Sequence, residues 1–210
     1  MKTKVTFILI SLIAFTYAQS VDDIVEEIQE RYEDLENLSA EFKQIEMFQL
    51  TGSRNETVGK IYVKNGTQYR LETEDRVIVT DGLTVWTYSM FNNQVLIDRV
   101  KKNDASVLPR DLLFKYPREY YASLLTTEDY NNDEHYVLKL DPKEETHGYI
   151  KTMKLWVNSD NYLISKIEYM DFNDNTSSFA IEKIDTNTKL KDSFFKFDIP
   201  AGVEIVDLRM

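Results

Sequence analysis

The stretch "VKNGTQYRLETEDRVIVTDGLTVWTYS", residues 63–89, combines strand and turn signals. Its large apolar residues alternate with polar ones on both sides of two turn dipeptides, Asn65-Gly66 and Asp81-Gly82. Alternation with a period of two is typical of β-strands that bury one face, and both dipeptides accept the positive φ angles of hairpin turns. Strands joined by such tight turns pair in antiparallel fashion. The stretch therefore predicts an antiparallel meander.

One amphipathic helix is predicted before the meander. In "VDDIVEEIQERYEDLENL", residues 21–38, the apolar residues recur every three or four positions, which is the spacing of a helix with one buried stripe. Ser20 stands where it can cap the first turn, and acidic residues crowd that turn, where the helix dipole favours negative charge. From about Leu38 the period changes to two.

A second helical region is predicted in the middle of the chain. The run "SVLPRDLLFKYPREYYASLL", residues 106–125, breaks the alternation and is divided by Pro117, which predicts two short helices. Strands then resume at residues 135–141, 149–158, 162–172, 177–184 and 194–199. One helix, about five strands, a helical pair and about five more strands predict an α+β domain with a dominant antiparallel sheet.

The N-terminal residues have the pattern of a secretory signal peptide. Residues 1–18, "MKTKVTFILISLIAFTYA", begin with lysines, continue with an apolar run too short to span a bilayer, and end with a small residue. We therefore expect a cleaved signal peptide at residues 1–18 and a single domain at residues 19–210.

The charge balance and the absence of cysteine exclude several partners. The chain carries a net charge of −11, and because residues 1–18 contribute two lysines and no acid, the remainder carries −13. Such a charge disfavours binding to nucleic acid or to an anionic membrane surface. Without cysteine the chain has no residue to carry the lipid of a bacterial lipoprotein, so we expect an unanchored monomer.

The sequence offers little for catalysis. His135 and His147 are the two histidines, and without cysteine they do not complete a transition-metal cluster, so both are expected at the surface. Nucleophile-elbow, phosphate-loop and zinc-protease motifs do not occur. The prediction is a protein without catalytic residues, metal or cofactor that is not an enzyme.

Aromatic residues are abundant instead, with 13 Tyr, 11 Phe and two Trp. Pairs such as Tyr69 and Leu71, or Trp86 and Tyr88, each lie on one face of a strand. A single curved sheet with few helices to cover it must either pair with a partner or fold around something apolar.

Four motifs carry a resemblance to a known family. These are "FKQ" at residues 42–44, "GKIYVK" at 59–64, "TDGLTVWTYSMFNNQV" at 80–95 and "FKFDIPAGVEIVD" at 195–207. In this order they resemble the LolA family, the periplasmic carriers that take lipoproteins from the inner to the outer membrane of Gram-negative bacteria. The resemblance spans nearly all of residues 19–210.

The resemblance implies an unclosed β-barrel, a strongly curved antiparallel sheet with a helical lid over a hydrophobic cavity for acyl chains. It also implies loading by an inner-membrane lipoprotein-release complex and delivery to an outer-membrane lipoprotein acceptor. The hypothesis for the lining of the cavity is Phe42, Ile61, Val63, Tyr69, Leu71, Trp86, Tyr88, Met153, Leu155 and Ile164. The hypothesis for the lid is Ile24, Ile28, Leu112, Leu113 and Phe114.

One position departs from the family pattern. Founding members carry an Arg-Pro after the Val-Lys of the second motif, and that arginine is thought to hold the lid, whereas this chain has Asn65-Gly66. The resemblance therefore does not bring an arginine lock to this protein. Two alternatives of the same fold stay open, a carrier of free lipid or glycolipid and a lipid-sensing regulatory module; the anchored acceptor LolB is disfavoured because it needs a cysteine.

Overall fold

The helix predicted at the start of the domain is present. The structure is a computed structural model that describes residues 19–100, 120–143 and 150–209. Helix α1 (Val21–Glu33) begins with a capping box, in which the Ser20 hydroxyl accepts from the Asp23 backbone N–H and the Asp23 carboxylate accepts from the Ser20 N–H. This satisfies two backbone N–H groups that a helix start leaves unpaired. Within the described ranges, no helix has both the length and the apolarity to cross a membrane.

The strands of the described residues form one sheet of twelve. They are β1 (Asn37–Met47), β2 (Arg54–Lys64), β3 (Gln68–Thr73), β4 (Arg76–Thr80), β5 (Thr84–Ser89), β6 (Gln94–Arg99), β7 (Tyr120–Tyr130), β8 (Asp133–Pro142), β9 (Ile150–Asn158), β10 (Ile164–Asp171), β11 (Thr176–Asp185) and β12 (Glu204–Asp207). Their order is β12-β6-β5-β4-β3-β2-β1-β11-β10-β9-β8-β7. Neighbours pair antiparallel except β12 and β6, which are parallel. The predicted α+β class with an antiparallel sheet is confirmed.

The sheet curves around α1. A single apolar cluster joins α1 to strands from β3 to β8, which would lie about 29 Å apart in a flat sheet. Helix α1 also contacts the edge strand β7, and its Tyr32 hydroxyl accepts from the backbone N–H of Ile164 in β10 at 3.0 Å. One helix reaches all these strands only if they wrap around it. Because the edge strands β7 and β12 do not pair with each other, the barrel is unclosed, as predicted.

The predicted helical pair is wrong at its C-terminal end. Residues 101–119 lie outside the described residues, but residues 120–125 belong to strand β7. In β7 Tyr120 lies opposite Pro142 and Leu124 opposite Leu138, so the pairing with β8 determines the conformation of this segment. The neighbouring Leu124 and Leu125, which suit a helix by propensity, are accommodated by an irregularity in the register between Leu124 and Thr126.

The strand predicted at residues 194–199 is also wrong. Residues Asp192–Phe195 form a 3₁₀ helix, and the final strand is β12 instead. The ring of Phe194 packs on Tyr62 at 4.9 Å and on the buried ring of Phe195 at 5.6 Å. Consecutive side chains of a strand point to opposite faces, so a tight turn is needed to bring both rings to one side.

Two of the sequence motifs meet in the sheet. Phe42 of "FKQ" lies directly opposite Gly59 of "GKIYVK". A Cβ atom at position 59 would lie 2.6 Å from the carbonyl oxygen of Glu72 and 2.7 Å from the Phe42 ring. A glycine is therefore required here by the close approach of a neighbouring strand and an aromatic ring.

We predict that Gly59→Ala lowers the free energy of unfolding by about 1–3 kcal/mol, because the added methyl group forces the ring or the strand to move. Urea unfolding monitored by circular dichroism measures this. The matched control is Val58→Thr, which keeps a β-branched side chain at the exposed neighbouring position and is expected to change stability by less than about 0.5 kcal/mol. Equal losses for the two variants would contradict this role of the glycine.

Candidate functional site

The register of the strands assigns every side chain to one of two faces. Directly opposed residues in an antiparallel pair share a face. Ile61 of β2 lies opposite Leu71 of β3, and Val63 lies opposite Tyr69. These four residues belong to the apolar cluster that includes α1. We call this side of the sheet the concave face and the other side the outer face.

Most residues of the predicted cavity lie together on the concave face. The residues placed there are at most 5% exposed and are Phe42, Ile61, Val63, Tyr69, Leu71, Met153, Leu155 and Ile164. Two predicted lid residues, Ile24 and Ile28 of α1, are buried in the same cluster. The other three, Leu112, Leu113 and Phe114, lie outside the described residues. In this conformation α1 occupies the surface on which a ligand would be bound.

Trp86 and Tyr88 are on the outer face, which corrects their assignment to the cavity. Tyr69 lies opposite Thr80, so the even-numbered residues of β4 belong to the concave face. Trp86 lies opposite Val79 of β4 and therefore points the other way, as does Tyr88. Sequence reasoning assigned these aromatic residues by residue type alone. Counting positions through the three hairpin turns of residues 63–89 provides the signal that was missed.

The outer face has its own apolar cover, formed by the C-terminal segment. Val79 and Phe195 are fully buried there, and the Tyr88 ring packs on Phe197 at 5.7 Å. The Lys64 ammonium fastens this segment, since it donates to the carbonyl oxygen of Leu190 at 3.0 Å and to the carboxylate of Asp192 at 2.6 Å. Tyr88 of β5 thus packs against the C-terminal segment and helps to hold it on the outer face.

Helix α1 is attached to the sheet at both ends. Before the helix, the Gln19 side chain accepts from the Tyr136 hydroxyl at 3.2 Å and donates to the Tyr162 hydroxyl at 3.1 Å. In its last turn, Tyr32 accepts from Ile164 N–H. Burial raises the pKa of the Tyr32 hydroxyl, so this group stays neutral at physiological pH. Sequence analysis placed Tyr32 in the apolar stripe but did not reveal its hydrogen bond.

The turn that replaces the family's Arg-Pro contacts the chain directly before β1, where it continues the pairing of β1 with β2. Asn65 and Gly66 both have positive φ angles, 50° and 62°, as predicted for this turn. The Asn65 backbone N–H donates to the carbonyl oxygen of Glu36 at 2.8 Å. Arg70 lies on the outer face opposite Tyr62, so its side chain does not reach the concave face. The connection at position 65 is made by backbone atoms.

One histidine differs from its expected surface position. His135 is buried, with Nδ1 2.8 Å from the carbonyl oxygen of Asp133 and Nε2 2.8 Å from the Ser165 hydroxyl. A carbonyl oxygen only accepts, so Nδ1 donates to Asp133, while Nε2 and the Ser165 hydroxyl share the second hydrogen bond. His135 therefore joins the start of β8 to β10. His147 lies outside the described residues, and no group of three or more potential metal ligands occurs within them.

Comparison with known proteins identifies the family of this chain. The sequence profile of the family described as "Outer membrane lipoprotein carrier protein LolA" matches residues 33–198. An outer-membrane lipoprotein carrier protein of Histophilus somni is 28% identical over 211 residues, covering 96% of this chain and 94% of the relative. The protein of the same name from Haemophilus influenzae is also 28% identical, over 99% of this chain and 98% of its own length.

A solved structure shares the fold. An uncharacterized conserved protein from Thermus thermophilus superposes with a TM-score of 0.61 at 13% identity, covering 90% of this chain and 99% of that protein. At this identity the likeness concerns the fold alone. The profile match covers well over half of the chain and includes the helix end, the Phe42–Gly59 contact and the concave face. The chain belongs to the LolA family of outer membrane lipoprotein carrier proteins.

Proposed function

We propose that this protein is a periplasmic carrier that binds the acyl chains of lipoproteins on its concave face and takes them from the inner to the outer membrane. The observation that carries the proposal is the apolar concave face beneath a separate helix, in a chain of the LolA family. The protein acts by binding and release, without catalysis.

Energetics support acyl chains as the ligand. Each buried CH2 contributes about 0.8 kcal/mol, so a chain of about fifteen CH2 groups contributes about 12 kcal/mol. Ile24 and Ile28 contribute about 1.5–3 kcal/mol each when α1 covers the sheet, and each of its hydrogen bonds adds about 1 kcal/mol. Tyr32 is buried beside them, so the burial of the α1 stripe and the burial of one acyl chain are of the same order, and the two compete for the concave face. We propose that loading displaces the helix.

The route through the cell follows from the same proposal. Residues 1–18 direct export and are cleaved, which leaves Gln19 as the first residue of a single domain. The two tyrosine hydroxyls that bind the Gln19 side chain attach this residue to the domain. An inner-membrane release complex loads the monomeric carrier, and an outer-membrane acceptor receives the cargo because it binds the acyl chains more tightly.

Native mass spectrometry with lipid extraction tests the cargo directly. Protein purified from the periplasm is expected to carry acylated lipoprotein. Free lipid or glycolipid alone would favour a general lipid carrier, and a lipid-free protein that stays empty when offered acylated peptide would favour a regulatory module.

The position of the cargo is testable by fluorescence, because the two native tryptophans, Trp86 and Trp156, lie on the outer face. We predict that an acylated peptide with a brominated chain, which quenches tryptophan on contact, quenches the variant Tyr69→Trp far more than the unchanged protein. The matched control is Tyr88→Trp, an equivalent exchange on the outer face, which should show no added quenching. Stronger quenching of the outer-face variant would place the ligand on the wrong side of the sheet for this proposal.

The attachment of α1 provides a second test. We predict that Tyr32→Phe lowers the free energy of unfolding by about 1–3 kcal/mol, because the Ile164 N–H is left buried without its acceptor. The same change weakens the closed position of α1, which competes with the acyl chain for the concave face, so acylated peptide is expected to bind more tightly and to be released more slowly in stopped-flow measurements. Tyr62→Phe, on the outer face, serves as the control. If Tyr32→Phe releases the peptide as fast as the control does, the hydrogen bond does not hold α1 over the concave face.

A further inference from the structure

Two neighbouring hairpin tips at one end of the sheet hold large apolar side chains in solvent, and a third tip at the same end, between β5 and β6, holds Phe91. Leu50, in the tip between β1 and β2, is 96% exposed, and Phe172, in the turn between β10 and β11, is 63% exposed. Met47, at the end of β1, is 42% exposed. We call Leu50, Phe172 and Met47 the apolar apex. Each exposed apolar group disfavours solubility, so a cluster at two projecting turns calls for a function.

The two tips are held next to each other. The Gln49 backbone N–H donates to the Asn175 side-chain oxygen at 3.0 Å, which links one turn to the other. Met47 lies opposite Thr176, so the pairing of β1 with β11 continues to the base of both turns. The β1–β2 tip is closed by a hydrogen bond from Phe48 N–H to the Ser53 carbonyl oxygen at 2.9 Å. The apex is therefore a preformed surface.

The charge of the apex differs from that of the rest of the protein. Residues 47–53, "MFQLTGS", carry no charge in a chain whose net charge is −11. Two charged pairs lie close by, Arg54 with Glu56 at 2.9 Å and Lys151 with Asp174 at 2.7 Å. Glu46 precedes Met47, and Asp171, which precedes Phe172, is buried and accepts hydrogen bonds from Asn173 and Asn175. The apex thus offers apolar contact without electrostatic attraction, whereas the acidic remainder repels an anionic surface.

The shape of the apex favours a bilayer over a folded partner. Leu50 and Phe172 project from turns and are largely free of contact, so a protein partner has to provide a matching pocket for each. The interfacial region of a bilayer accepts such projections without preformed pockets. We propose that the apolar apex inserts into the surface of a zwitterionic lipid bilayer.

This proposal deepens the carrier function on which it rests, because it names the surface to which the carrier docks. Phe42 of the concave face lies on the same strand as Met47, five residues and about 17 Å away. An acyl chain leaving the bilayer beside the apex therefore has a short path to the concave face. A few inserted side chains bind weakly, so docking is transient and the carrier returns to solution.

Flotation with phosphatidylcholine vesicles tests the proposal on the mature protein. We expect the unchanged protein to float with the vesicles and the double variant Leu50→Ser/Phe172→Ser to bind at least about tenfold more weakly, since each change removes an inserted apolar group. The matched control is Leu83→Ser. Leu83 is 78% exposed in the loop between β4 and β5, at the opposite end of the strands, and its replacement should leave binding unchanged.

Two further measurements make the outcome decisive. Vesicles of phosphatidylglycerol should bind more weakly at low salt and recover as salt screens the acidic surface. The double variant, placed in the Tyr69→Trp background, should retain quenching by brominated acyl peptide, which separates failure of docking from failure of cargo binding.

Three results would overturn the proposal: no flotation of the unchanged protein, equal flotation of the double variant, or stronger binding to anionic vesicles. Sedimentation measures self-association. If the unchanged protein is a dimer, the double variant is a monomer and neither binds vesicles, the apex serves self-association instead.

Discussion

The apolar stripe of α1 must be buried, and the concave face is the surface that buries it. Ile24, Ile28 and Tyr32 belong to one apolar cluster with the strands from β3 to β7, eight of the twelve in the described sheet, which requires these strands to wrap around a single helix. The curvature, the unclosed edges and the apolar concave face all follow from this contact. A carrier needs that burial to be reversible, because the surface that stabilises α1 is the surface offered to acyl chains.

The outer face of the sheet also needs a cover. A one-layer sheet with apolar residues on both sides has to cover the second side, and the C-terminal segment does so with Phe194, Phe195 and Phe197. Lys64 anchors that segment from the end of β2, and the next residue, Asn65, bonds the chain directly before β1. The end of β2 therefore holds the C-terminal segment and extends the pairing with β1.

The sequence predicts which segments form helices and strands better than it predicts the face of the sheet to which each side chain points. The period of the apolar residues and the turn dipeptides are local signals, and they correctly predict α1 and the strands of residues 63–89. The face on which Trp86 lies depends on the register across the three hairpin turns, which residue type does not encode. Strand β7 is set by its pairing with β8, and the 3₁₀ helix at Phe194 is set by packing against Tyr62, so both depend on contacts distant in the chain. The buried His135 has the same origin, because Ser165 is thirty residues away.

The backbone contact of Asn65 changes what evolution is able to conserve at this position. An arginine that holds a lid is preserved for its guanidinium group, which no other side chain replaces. Here the link to Glu36 uses an amide N–H that nearly every residue possesses, while the φ angle of 50° is readily adopted by few residue types, Asn and Gly foremost. Selection at position 65 therefore acts on a conformation of the chain, and homologous carriers that lack the arginine are expected to be recognised by the turn that they share.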